Sequence, residues 1–166
     1  MKCPSGFTPI TDLPFEIGSN RALFSEQGGK LQLFGNTAKK SLWGIVRFHE
    51  YFVGPPEHAH GGAQAYALDE SMGTVCWNSG IPVVAKSITI EFKKPVPLNT
   101  DLIITAQVGR KLGKATQVKS ALLHNDQILA IGKGAFHILT HGYIAKMVGG
   151  AKPDLSRWFP SENSKR

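Results

Sequence analysis

The chain has 166 residues, 42% hydrophobic and 19% charged, with a formal net charge of +7. That length fits one domain with a substantial core, and no run approaches the roughly 20 apolar residues a membrane span needs. The start, Met1-Lys2-Cys3-Pro4-Ser5-Gly6, lacks the apolar core of a secretory signal and is not an Arg-rich transit peptide, so the cytoplasm is the expected compartment.

In chain order, residues 1–36 carry Pro4, Pro9, Pro14, Gly18, Gly28 and Gly29 and read as an irregular extension with one short helix. The domain proper is expected over 37–140, and 141–166 reads as a basic tail. Ser41 to Val53 is a strand candidate that Pro55-Pro56 ends, because proline removes a ladder donor. His60 to Trp77 reads as a helix: Ala65, Leu68, Met72 and Val75 fall at helical spacing, and Asn78-Ser79-Gly80 stops it. Four strand candidates follow: Val83 to Phe92, Asp101 to Gly109, Ala115 to His124 and Ile128 to Leu139. The third ends at an Asn125-Asp126 turn, and Gly132 and Gly134 mark a bulge or a close approach in the fourth. One early strand, one long helix and four strands make an α+β fold, an antiparallel sheet wrapped around a central helix.

The densest chemistry lies in Gly54-Pro55-Pro56-Glu57-His58-Ala59-His60-Gly61-Gly62, with Asp69 nine residues after His60. A helix that starts at the glycine pair has unpaired N–H groups and the positive end of its dipole there, which suits an oxyanion. A carboxylate inside the same helix suits water activation or attack on a carbonyl. The pair points to acyl transfer. Nine residues at about 100° each put Asp69 on the face opposite His60 and roughly 13 Å further along the axis. Read as one site, the two meet only across antiparallel copies of the helix, so the motif predicts a two-fold dimer with composite sites.

His60-Gly61-Gly62-Ala63 with Asp69, then Val83-Val84, then Glu91-Phe92-Lys93-Lys94-Pro95-Val96-Pro97-Leu98 resemble the hotdog-fold acyl-CoA thioesterases, with the phenylacetate-pathway-like thioesterases and thioesterase superfamily members as the nearest subgroup. The resemblance covers roughly residues 40–140. It implies a hotdog fold, acyl-CoA as substrate and no cofactor. It gives Asp69 the part of nucleophile or general base, His60 a place near the thioester carbonyl, and the Gly61 and Gly62 N–H groups the part of oxyanion donors. Many members carry a serine or threonine after the valine pair. Alignment on Lys93-Lys94-Pro95 puts Ala85 there, followed by Lys86, with Ser87 expected on the same face as Ala85.

Gly54, Ala85, Lys86, Ser87, Arg110, Lys111 and Lys114 are the candidate substrate-binding residues. The basic Arg110-Lys111-Leu112-Gly113-Lys114 turn suits a nucleotide phosphate such as that of coenzyme A, or is a solvated hairpin. His58 and His60 form a His-x-His pair, but two ligands without a third are weak grounds for a metal. Cys3 and Cys76 lack metal-like spacing, and Cys76 shows no base nearby. Rival functions are a hotdog hydratase or dehydratase, and a non-catalytic acyl-CoA-binding protein suggested by Ala85. Nucleic acid is not an expected partner, since no aromatic-basic stripe is present. A homodimer or a dimer of dimers is expected.

Overall fold

The computed structural model describes residues 2–11, 13 and 28–147, with side chains through residue 144. The short helix expected in 1–36 and the greater part of the basic tail lie outside the described residues. The elements are β1 (Thr8–Pro9), β2 (Gly29–Asn36), β3 (Ser41–Phe48), α1 (Gly61–Asn78), β4 (Val83–Phe92), β5 (Leu102–Leu112), β6 (Ala115–His124), β7 (Gln127–Ile138) and α2 (His141–Met147). All strand pairs are antiparallel, in the order β1-β2-β3-β5-β6-β7-β4. The fold is α+β, one sheet wrapped on one long helix.

The core is the seam between α1 and that sheet. Ala67, Leu68, Met72 and Val75 are fully buried on the helix, against Val46, Leu102, Ile104, Leu122 and Ala130 from the strands. Burying such side chains is worth about 1.5–3 kcal/mol each. The close approach that Gly132 and Gly134 signalled is real. A Cβ on Gly132 would lie 3.2 Å from the Met72 terminal methyl and 3.3 Å from Leu68 Cβ, and one on Gly134 would lie 2.4 Å from the Phe136 ring. Two hydroxyls also bridge the seam: Ser71 Oγ donates to Leu68 O at 2.8 Å and meets Ser120 Oγ at 2.6 Å. The β6–β7 turn places both Asn125 and Asp126 at positive φ, 48° and 62°, the shape of a tight hairpin loop that these side chains tolerate.

Three expectations change. Gly29–Asn36 is a regular strand rather than irregular chain, paired with β3 from Gly29↔Phe48 to Asn36↔Ser41. Its Leu31 is buried, while the Gly28-Gly29 pair before it looks like a breaker in sequence. β3 ends at Phe48 rather than Val53. Glu50–Phe52 forms a 3-10 turn, because Phe52 folds back edge-on against Phe48 at 6.0 Å and 82°. In β4 the register shifts between Ala85 and Ser87. Lys86 is the extra residue of a bulge, which resets the inside–outside alternation.

Candidate active site

Loop 49–60 and the start of α1 form one tied unit. Gly54 N donates to His58 O at 2.9 Å, His58 N to Pro55 O at 3.0 Å, Ala59 N to Val96 O at 2.8 Å, and His60 N to Phe52 O at 2.7 Å. Leu98 N reaches back to Glu57 O at 3.2 Å. The Lys93–Leu98 run, distant in sequence, is thus the rail on which the histidine loop rests. Gly54 has to be glycine for space: a Cβ there would sit 2.8 Å from His60 Cα.

His60 caps α1. Its Nδ1 accepts the Gly62 N–H at 2.9 Å, so in the neutral ring the proton sits on Nε2. The Gly62 N–H is therefore already engaged. The Gly61 N–H has no partner among the described residues, and of the two glycine donors it is the open one. A Cβ on Gly61 would meet the Phe92 ring at 3.2 Å. Phe92, 54% exposed, is a wall of the site that strand alternation alone did not single out.

Asp69 lies nine residues along the unbroken α1, about 13 Å down the axis from His60. Gly62, Ala65, Asp69 and Gly73 share the helix face turned away from the buried stripe. Asp69 is half-buried, its Oδ1 is shut off from solvent without a hydrogen-bond partner, and desolvation raises its pKa above the ordinary carboxylate value. Buried polar atoms without partners are uncommon and concentrate where function needs them. Glu70, one residue on, has a partner of its own.

The β4 residues fall differently from the sequence expectation. Ala85 pairs with Phe136, whose ring is in the core under α1, but Ser87 pairs with Ala135, which points the other way. Ser87 therefore does not share the face of Ala85, because Lys86 occupies the bulge between them. The same shift takes Val84 out of the row of Ile88, Ile90 and Phe92, which pair with Gly134, Gly132 and Ala130. No hydroxyl on β4 replaces Ala85 toward the helix at this level.

The basic turn stands apart from Asp69. Lys111, Gly113 and Lys114, with His137, Ile138, Leu139, Thr140 and Tyr143, line an open cavity of about 370 Å³. Arg110 precedes it on β5. The cavity is at the far end of β7, about 17 Å along the strand from Gly132. His58 Nδ1 donates to Pro56 O at 2.7 Å. Among the described residues no group of three His, Cys, Asp or Glu is placed to hold a metal. Cys76 is fully buried, and desolvation pushes its thiol up to about 12, which removes it as a nucleophile at neutral pH. No described helix is long and apolar enough to cross a membrane.

Residues 57–130 match the family model of the Thioesterase superfamily. Acyl-coenzyme A thioesterase THEM4 of Xenopus laevis is 30% identical over 101 residues, 58% of this chain and 44% of the relative. THEM4 of Rattus norvegicus is 30% identical over 107 residues, 64% and 46%. The chain thus spans less than half the length of these curated relatives. The E. coli PaaI protein from the phenylacetic acid degradation operon superposes with a TM-score of 0.62 at 19% identity, over 74% of this chain and 87% of that one. A Streptococcus pneumoniae hypothetical thioesterase solved with coenzyme A gives 0.57 at 14% identity, over 61% and 80%. The solved structures carry the fold, and the histidine-glycine-glycine loop with Asp69 lies within the residues that match the Thioesterase superfamily model.

Proposed function

We propose that this chain hydrolyses acyl-CoA thioesters as a two-fold dimer with composite sites. The observation that carries the reading is the Asp69 carboxylate, half-buried with an unmatched Oδ1 on the small-residue face of a helix whose open donor is Gly61 N–H. One subunit presents Gly61 N–H, and the outward Nε2–H of His60, to the thioester oxygen, where negative charge develops. Asp69 of the partner subunit takes a proton from water, or attacks the carbonyl carbon itself. In the first route the water oxygen bonds to the carbonyl carbon as the C–S bond breaks, the thiolate takes the proton held by Asp69, and the carboxylic acid leaves. In the second the thiolate leaves with a proton from solvent, and water then cleaves the mixed anhydride to release the acid and regenerate the Asp69 carboxylate. An antiparallel pairing of α1 with its copy supplies the geometry that one straight helix denies. Ile88 and Phe92, exposed on the edge strand β4, suit an interface and an acyl wall. Lys111 and Lys114 with their cavity suit the phosphates of the nucleotide end, and Gly54 shapes the entrance. Arg110 adds charge beside it.

One observation favours a second reading, an acyl-CoA-binding protein without turnover: Ala85 faces the helix where family members carry a hydroxyl, and the bulge turns Ser87 away. A panel of acyl-CoA esters assayed for free thiol, alongside direct binding, separates the two. Thiol release that is lost in Asp69→Asn supports hydrolysis. Binding without release from any ester supports the second reading.

A further inference from the structure

The sheet-facing side of α1 is apolar near its start, with Ala63, Ala67 and Leu68 buried, yet Gln64 sits among them at 6% exposure. Its Nε2 donates to Ala59 O at 3.0 Å. Its Oε1 is buried with no partner. Leaving a buried acceptor unmatched is unfavourable, so an apolar side chain would serve the core better, and a reason for the amide has to be sought in what its N–H holds.

It holds the peptide group between Ala59 and His60. The N–H of that group is fixed by Phe52 O at 2.7 Å, and the C=O by Gln64 Nε2. The next carbonyl, His60 O, accepts from Ala63 N at 3.0 Å and from the backbone N of Gln64 at 3.2 Å. Gln64 therefore grips two successive carbonyls, one with its side chain and one with its backbone. The peptide plane between His60 and Gly61 carries the open Gly61 N–H, and the preceding plane sets its start.

We propose that Gln64 is a positioning residue: its buried amide locks the Ala59–His60 peptide and through it aims the Gly61 N–H and the His60 ring. The inference rests on the hydrolase reading for its catalytic consequence but not for the loop order. Gln64→Met keeps length and volume and deletes the donor, and Gln64→Glu keeps the shape but presents a carboxylate to the Ala59 carbonyl. Both variants are expected to lower kcat about ten-fold or more, because a fixed donor moved by a fraction of an ångström loses much of its effect. KM should change little. Amide exchange at His60 and Gly62 should quicken in both variants, while exchange in β6 stays as in the parent chain.

An unchanged kcat in a folded Gln64→Met protein overturns the proposal. So does a fall in kcat that tracks only a fall in the folded fraction, with exchange rising evenly over the chain. If the parent chain releases no thiol from any ester, the hydrolase reading fails by itself. Local exchange at His60 and Gly62 then decides this inference alone: local quickening sustains it, and an even pattern ends it.

Discussion

The loop leading into α1 and the edge strand β4 bound the candidate site from two sides, and they are built in opposite ways. The loop is tied by backbone bonds to Gly28, to the Val96–Leu98 run and to itself, and a side-chain amide closes it from within. β4 is bonded to β7 on one side only, is interrupted by a bulge, and is exposed from Ala85 to Thr89. In the proposed reaction the donors for a developing charge have to be fixed beforehand, and a loop tied in this way suits that. A strand that leaves its outer edge open is a surface for another chain. The difference teaches how the proposed site would divide: one chain holds the electrophilic half fixed, and its open edge leaves the carboxylate half to association.

The sharpest way to break that division is at the carboxylate. Asp69→Asn is expected to lower kcat about 10²-fold or more, in the range for a positioned acid–base group, with the fold intact by circular dichroism. Near-parent turnover would move the chemistry elsewhere, first to Glu70. On the loop side, Gly54→Ala forces a Cβ to within 2.8 Å of His60 Cα. Backbone cannot yield cheaply there, so a loss of about 1–3 kcal/mol in stability and a marked loss of turnover are expected from denaturant titration and thiol release.

On the β4 side, Ile88→Lys puts a charge on the open edge. Light scattering should show a monomer where a dimer is expected of the parent chain, with turnover lost and the fold retained by circular dichroism. A parent chain that is monomeric at micromolar concentration would end the composite-site argument.

The smallest effect is one of pH. Desolvation raises the Asp69 pKa in the folded chain, so between the unfolded and folded values the native state holds more protons, and stability falls as pH rises through that window. Asp69→Asn removes the ionised group. It should melt a few degrees higher than the parent at neutral pH, with the gain vanishing below the ordinary carboxylate range. A variant equally or less stable at neutral pH would mean that Asp69 has found a partner in the assembled protein.

What was legible in the sequence was whatever local rules control. The helix was legible from its spacing and its Asn78-Ser79-Gly80 stop, β6 from the turn at Asn125-Asp126, and the close approach at Gly132 from the absence of a side chain. The two motifs, His60-Gly61-Gly62 and Lys93–Leu98, were legible separately. Their docking through Ala59 N and Val96 O was not, because a backbone bond across dozens of residues leaves no trace in composition. β2 was hidden by its flanking glycines. The bulge at Lys86 was hidden because no glycine or proline announces it, and one extra residue was enough to send Ser87 to the other face. Gln64 and Phe92 escaped because their meaning depends on what they touch. The Ala59 carbonyl meets the Gln64 amide, and Gly61 meets the Phe92 ring, only once the loop is folded.

The buried thiol of Cys76 has a use of its own. With its titration pushed to about 12 and no exposure, a disulfide reagent reaches it only when α1 lifts from the sheet. In the folded protein the sole competing thiol in a release assay is Cys3, and the slow labelling of Cys76 becomes a built-in clock for the opening of the helix–sheet seam.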